Sequence, residues 1–190
     1  WALFIGIGII MIAHGLQMQL MGIRSVVENF SVVTTGIFMS GYFTGYFLGS
    51  KTTPLLVQKV GHIRVFAAFA SLASLSALLA AVYVNPTMWT LSRFITGISL
   101  VSCYIVTESW LNDRATNKNR GQLLSAYFII LYIGLGIGML LLNVSDPKNY
   151  EPFILVSVLL SLALVPILLT KRPAPKFKKI GTISVKELYE

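Results

Sequence analysis

Charged residues are scarce in this chain. They make up 12% of its 190 residues, whereas soluble domains carry about 25%. Cysteine is scarcer still, because Cys103 is the only one, and the histidines His14 and His62 have no partner near them in the sequence. These shortages argue against a disulfide framework and against a metal site. Walker, HExxH and GxSxG motifs are missing as well, so the sequence predicts neither an enzyme nor a bound cofactor.

Long apolar runs, by contrast, are abundant, and 55% of the residues are hydrophobic. Six runs reach the roughly 20 residues that a helix needs to cross a hydrocarbon core at about 1.5 Å per residue. The runs do not alternate apolar and polar positions, as strands of a transmembrane barrel do. The sequence therefore predicts an all-α membrane protein embedded in a lipid bilayer. Its six transmembrane helices are predicted at 1–22, 33–56, 65–84, 88–110, 121–143 and 152–170.

The basic residues that give the chain its net charge of +8 are divided unevenly between the loops. One set of loops holds only Arg24 and Lys148, and the positive-inside rule places the richer set in the cytoplasm. Because the charge is partitioned by membrane side, no nucleic-acid partner is predicted. The richer set comprises Lys59, Arg64, Arg114, Lys118, Arg120 and the basic residues of 171–190.

The two ends of the sequence indicate a part of a longer protein. It begins at Trp1, inside an apolar run, and it ends in TISVKELYE, which reads as the start of an amphipathic helix. We therefore expect the protein to have further residues before Trp1 and after Glu190. The predicted organisation is a six-helix transmembrane bundle at 1–170 followed by a basic cytoplasmic linker at 171–190.

A weak internal repeat relates the second predicted helix to the fifth. At an offset of 85 residues, SGYFTGYFLG at 40–49 matches SAYFIILYIG at 125–134 in four of ten positions. Tyr42 then falls on Tyr127 and Gly49 on Gly134. This register predicts two three-helix repeats, a common construction of transporters.

Several segments resemble the amino-terminal half of a major facilitator superfamily transporter. They are LLVQKVGHIR at 55–64, SRFITG at 92–97 and NKNRGQLLSAY at 117–127. Within the superfamily, SGYFTGYFLGS at 40–50, VGHIRVFAAFASL at 60–72 and ESWLNDRATNKNRGQLLSAY at 108–127 are similar to a bacterial branch of drug- or sugar-type transporters. The resemblance implies a secondary transporter of the bacterial inner membrane that moves a small organic solute by alternating access. It also implies a partner, either a missing carboxy-terminal half or a second six-helix unit.

The sequence departs from the superfamily's motifs at several positions. Gln58 replaces the loop aspartate, Pro54 replaces a loop glycine, and Val101 replaces a glycine on the fourth helix. The fifth helix lacks the Gly-Pro run of drug antiporters, so proton-coupled drug export is not implied. A non-transporting accessory subunit or assembly factor of a larger membrane complex stays open as the alternative.

Arg93 is a charge within the fourth predicted helix, where an ionisable residue usually faces a wet cavity or a partner. The resemblance places its helix face on the central cavity, opposite His14 and Gln17 on the first helix. Arg93 would then bind an anionic or polar group of the substrate or influence a carboxylate, although its long side chain could also snorkel to the surface. The other members of this face, at helical spacing, are Thr96, Leu100, Cys103, Tyr104 and Thr107.

Glu108 lies at the cytoplasmic end of the same predicted helix. In the superfamily an acidic group here pairs with basic loop residues and fastens the cytoplasmic side, and Gly61 matches the loop glycine. The alternative is a solvated glutamate whose surface pairs contribute little. The candidate partners of Glu108 are Lys59, Arg64, Arg114 and Arg120.

Overall fold

All six predicted stretches are helical in the computed structural model, which describes residues 1–170. The linker and amphipathic helix predicted at 171–190 lie outside the described residues and stay predictions. The helices are α1 (Ala2–Val27), α2 (Val32–Val60), α3 (His62–Val82), α4 (Pro86–Arg114), α5 (Arg120–Leu141, followed by a 3-10 turn at Leu142–Val144), α6 (Glu151–Leu162) and α7 (Leu164–Leu168).

The helix ends follow from local capping chemistry. Ser31 Oγ accepts from the backbone N–H of Thr34 at the start of α2, and Asn85 Oδ1 accepts from Met88 at the start of α4. Such caps satisfy backbone donors that the first turn leaves unpaired. Helices α1, α2 and α4 continue past their predicted last residues by four or five residues, because the flanking residues extend the helix beyond the apolar run. The sixth predicted helix is instead broken into α6 and α7 just before Pro166, whose ring disrupts the preceding turn.

Five helical stretches are long and apolar enough to cross a membrane: Ala2–Val27, His62–Val82, Pro86–Arg114, Arg120–Val144 and Glu151–Leu168. Helix α2 has the length, with 29 residues, but not the composition. Serine, threonine and Lys51 interrupt its apolar surface. The prediction of six membrane-spanning helices is therefore supported by composition for five of them.

Helix packing follows a reciprocal pattern. Helix α2 packs mainly on α4, and α5 packs mainly on α1. In the same way α3 packs on α4, α6 packs on α1, and α3 and α6 contact each other. Each contact of the first three helices thus has a counterpart in which α1, α2 and α3 are replaced by α4, α5 and α6 and the reverse.

Glycine contacts fix the register between the two halves of this pattern. A Cβ placed on Gly41 would lie 2.9 Å from Thr90 O, and one on Gly134 would lie 2.9 Å from Gly8 O. Gly45 lies against Phe94 of α4 in the way that Gly138 lies against Ile12 of α1. The equivalent residues of α2 and α5 are thus Gly41 with Gly134 and Gly45 with Gly138, an offset of 93 residues. The predicted register, with Tyr42 on Tyr127 and Gly49 on Gly134, was wrong by about two helical turns.

The ends of successive helices lie alternately at the two opposite ends of the bundle. His62 Nε2 lies 3.0 Å from Ser109 Oγ, which brings the start of α3 to the end of α4. A pocket at this end is lined by Leu3, Trp110, Leu123 and Thr170, from α1, α4, α5 and the residues after α7. We call this end, which carries the exposed basic residues of the 55–64 and 114–120 segments, the basic end.

The opposite end is closed by a cluster of aromatic rings. The Trp89 ring centroid lies 5.1 Å from Phe30 and 5.3 Å from Phe38, both edge-on. Phe153 of α6 completes the cluster at 6.5 Å, and the Trp89 indole donates to Ala80 O at 3.0 Å. Edge-on aromatic pairs contribute about 0.5–1.5 kcal/mol beyond their burial, so this cluster ties α2, α3, α4 and α6 together.

Arg24, near the end of α1, holds the loop between α5 and α6. Its Nε donates to Glu28 at 2.6 Å, and its Nη1 donates to the carbonyls of Pro147, Lys148 and Asn149. Hydrogen bonds from a charged donor contribute about 1.5–3 kcal/mol each, and less where solvent reaches them. One side chain therefore fixes a loop that lies more than a hundred residues away in sequence.

We expect Arg24→Gln to lower the free energy of unfolding by about 1–2 kcal/mol and to free this loop, because the carbonyls lose their charged donor. Thermal unfolding and amide hydrogen exchange across residues 145–150 measure the two effects. Glu28→Gln is the control, since it leaves the carbonyl contacts in place. Equal exchange in the two variants would show that the loop is held by other contacts.

Candidate functional site

Arg93 lies within the bundle, in the first third of α4. Its side chain is 2% exposed, and its Nε and Nη1 are buried without a hydrogen-bond partner. The guanidinium carbon lies 4.8 Å from the centroid of the Tyr42 ring, a cation–π contact with α2. No carboxylate of the described residues lies within 4.0 Å of the Arg93 guanidinium. Arg93 is thus a buried cation with unused donors.

His14 of α1 contacts the same aromatic ring. Its imidazole stacks on Tyr42 with centroids 5.6 Å apart and planes 18° from parallel. The side chain is 7% exposed, and Nδ1 is buried without a partner. We call His14, Tyr42 and Arg93 the Arg93 cluster; it joins α1, α2 and α4 and holds three unsatisfied buried nitrogen atoms.

Glycine explains why Tyr42 reaches this cluster. Gly97 of α4 lies directly against the Tyr42 carbonyl, so the backbones of α2 and α4 are in contact at this level. A ring on α2 is thereby carried over to Arg93, four residues before Gly97. Sequence reasoning used Tyr42 only as a repeat marker and missed it as a site residue. Its position directly after Gly41, on the glycine side of the helix, was the available signal.

Gln17 and Thr96 were predicted to face each other, and the structure brings them together. Gln17 Nε2 donates to Thr96 Oγ1 at 3.5 Å, a long bond, while Thr96 donates to Ser92 O at 2.9 Å. Ser76 of α3 lies 2.9 Å from the same Thr96 hydroxyl. These groups satisfy one another between α1, α3 and α4, as small polar residues do in membrane helix packing.

The remaining members of the α4 face have their polar groups engaged. Tyr104 Oη lies 3.1 Å from Met11 Sδ, and the tyrosine is partly exposed. Thr107 is fully buried and donates to Cys103 O of its own helix at 2.8 Å. Leu100 and Cys103 are buried in the apolar core. Arg93 is therefore the member of this face that retains free donors.

Glu108 is exposed and has a partner that the sequence did not indicate. Tyr127 Oη of α5 donates to Glu108 Oε1 at 3.1 Å. Within residues 1–170, no nitrogen of Lys59, Arg64 or Arg120 lies within 4.0 Å of this carboxylate. Its predicted partners Lys59, Arg64, Arg114 and Arg120 are exposed at the same end of the bundle.

Gly61 alone connects α2 to α3. Its φ of +87° lies in the region that favours glycine, and no atom lies within 4 Å of the position its Cβ would take. The residue is thus required by the backbone of the turn. His62 follows it and is 1% exposed.

Lys51 is a second feature that sequence reasoning passed over. It is exposed on α2, with Nζ 4.2 Å from the centroid of Phe47. It lies nine residues before the end of α2, or about 14 Å along the helix axis. The signal was a cation inside the predicted helix 33–56, which a count of loop charges leaves out.

The described residues contain no group of three His, Cys, Asp or Glu side chains close enough to hold a metal ion. The geometry instead offers a buried guanidinium, a histidine nitrogen and an aromatic ring. Such a set can bind an anion or a polar group by charge-assisted hydrogen bonds.

The sequence of this helical bundle is similar to that of known membrane proteins. The family model described as Major Facilitator Superfamily matches residues 3–187. An uncharacterized MFS-type transporter, YcaD, of Escherichia fergusonii is 27% identical over 158 residues, or 83% of this chain and 41% of that protein. An uncharacterized MFS-type transporter of Enterobacter sp. strain 638 is 30% identical over 146 residues, 76% of this chain and 38% of that protein. The chain spans about 40% of the length of these curated relatives.

Proposed function

The chain belongs to the Major Facilitator Superfamily, and on this premise we propose that it is the amino-terminal six-helix part of a secondary transporter. The transporter moves a small organic solute across the bacterial inner membrane by alternating access. The observation that carries the proposal is Arg93, a buried cation with two unpartnered nitrogen atoms. An ionisable residue inside a membrane bundle is costly and is usually retained for function.

In this proposal α2 also crosses the membrane, which raises the number of membrane-spanning helices from five to six. The two three-helix units are repeats. The reciprocal packing and the glycine equivalences of α2 and α5 support it. The polar surface of α2 is then covered by the remaining chain, because lipid would not solvate its threonines and Lys51. The basic end, with Arg114 and Arg120, is cytoplasmic.

The Arg93 cluster is the polar centre of the proposed solute site. Arg93 binds the solute, while His14 and Tyr42 contact it beside the guanidinium. Tyr104, with its partly exposed ring, lines the half of the site nearer the basic end. Gln17 and Thr96 keep α1 and α4 in register through their hydrogen bond. Thr107 lies further along the same face of α4, with its hydroxyl bonded within its own helix.

Glu108 is proposed to act at the cytoplasmic side of the alternating-access cycle. In the outward-open state it pairs with basic residues of the two cytoplasmic loops, and the turn at Gly61 sets the position of the first loop. The exposed carboxylate and the nearby basic residues support this role. The pairing partners are Lys59, Arg64, Arg114 and Arg120.

Extracellular and intracellular solute profiles of cells with and without the full-length protein test the transport proposal. A transporter changes the distribution of at least one small organic solute across the membrane. An accessory subunit or assembly factor leaves these profiles unchanged and co-purifies with other membrane proteins at a fixed ratio. That second result would overturn the proposal.

Glu108→Gln is expected to favour the inward-open state by at most about fivefold, because an exposed ion pair contributes little. The readout is labelling of single cysteines in a Cys103→Ser background of the full-length protein. Labelling should rise at Tyr104→Cys, in the half of the bundle nearer the basic end, and fall at Met18→Cys, an exposed position in the other half. Unchanged labelling at both positions would show that Glu108 has no part in the switch.

A further inference from the structure

The Arg93 cluster is short of negative charge. The described residues include five carboxylates: Glu28, Glu108, Asp113, Asp146 and Glu151. All of them lie at helix ends or in loops, and none is within 4.0 Å of Arg93. Removing a cation from water is favourable only if an anion or several acceptors replace its hydration. The Tyr42 ring supplies part of that compensation, and the unpartnered Nε and Nη1 show that residues 1–170 do not supply the rest.

The charge count limits which anion fits. Arg93 is the one cation of the cluster, and Lys51 lies nine residues beyond Tyr42 on α2, about 14 Å away along the axis. A dianion such as a phosphate monoester would bring a second charge with no partner here. A carboxylate brings one charge, and its two oxygen atoms match the planar guanidinium. His14, which stacks on the same Tyr42 ring, supplies a further hydrogen-bonding atom, its unpartnered Nδ1.

We propose that the solute is a small organic anion whose carboxylate binds Arg93, with His14 Nδ1 hydrogen-bonding to it and the Tyr42 ring against it. This inference rests on the proposed transport function and specifies the solute class for the same site. The same carboxylate chemistry has a second source, an aspartate or glutamate of the remaining chain. The experiment is therefore arranged to separate a bound solute from a paired side chain.

The experiment measures thermal unfolding of the purified full-length protein with a panel of small mono- and dicarboxylates, each matched by its carboxamide. We expect at least one carboxylate to raise the melting temperature while its amide does not. In Arg93→Gln that shift should vanish, because binding weakens by about 10- to 100-fold without the charged donor. Lys118→Gln, an equal change of charge in an exposed loop, should keep the shift.

The melting temperature without any added solute identifies the source of the carboxylate. If Arg93 is unpaired, Arg93→Gln removes an uncompensated buried charge and raises the melting temperature by several degrees. If Arg93 is paired with a side chain of the remaining chain, the same variant strands a buried carboxylate and lowers it. The second result, or a panel in which no carboxylate acts on the wild type, overturns the proposal.

Failure of the proposed function has a different signature. If carboxylates bind in an Arg93-dependent way but the protein leaves cellular solute profiles unchanged, the anion site is supported and the transport proposal fails. If the protein transports a neutral or cationic solute and Arg93→Gln still transports it, the transport proposal is supported and the anion site is overturned.

Discussion

Replacing Gly138 by alanine is expected to destabilise the bundle by about 3 kcal/mol, at the upper end of the range for overpacking a close contact. A methyl group at this position would meet the carbonyl of Ile12 and lie 2.8 Å from Leu16 N, both backbone atoms of α1. Backbone atoms cannot rotate away as a side chain can, so α1 and α5 must separate. Thermal unfolding of the full-length protein in detergent, followed by loss of its monodisperse elution peak, measures the change.

Gly136 provides the matched control on the same helix. Nothing lies within 4 Å of the position that its Cβ would take, so Gly136→Ala adds a methyl group into open space. Alanine also favours helix over glycine by as much as about 1 kcal/mol. The control should therefore melt at or above the wild-type temperature. If the two variants melt together, the close approach of α1 to α5 has no energetic consequence.

The positions of the helices were predictable because they depend on local composition. An apolar run of about 20 residues has few alternatives to a helix in a membrane, whatever its neighbours are. The capped starts at Ser31 and Asn85 were likewise local. Contacts between helices were not predictable in this way. Glu108 accepts from Tyr127, 19 residues further along the chain, and no sequence spacing predicts that pair.

The repeat register failed for a specific reason. Glycine recurs every four residues at Gly41, Gly45 and Gly49, and again at Gly134 and Gly138. A shift of eight residues is two such periods, so the offsets of 85 and 93 both align glycine with glycine. Only the backbone contacts on α1 and α4 distinguish the two registers. The same contacts determine where Tyr42 lies, which is why the Arg93 cluster was predicted in part.

The burial of Arg93 within the bundle was predictable, since a cation within an apolar helix usually faces a cavity or a partner. Its variants carry the largest expected functional effect. In the full-length protein we expect Arg93→Gln to reduce transport by about 10- to 100-fold. The loss removes both the charged hydrogen bonds to the solute and the cation–π contact that orients the guanidinium on Tyr42. The measurement is uptake into proteoliposomes of the solute that the cellular profiles identify.

Arg93→Lys separates charge from shape. Lysine keeps the positive charge but offers a point donor in place of a planar fork, so it should restore only part of the activity. Lys118→Gln is the charge-matched control and should transport normally, and all three variants should insert and elute as the wild type does. If Arg93→Gln transported normally, the buried cation would have a structural role. The unpartnered Nε and Nη1 would then be satisfied by groups of the remaining chain, and the solute site would have to lie on another face of α1 and α4.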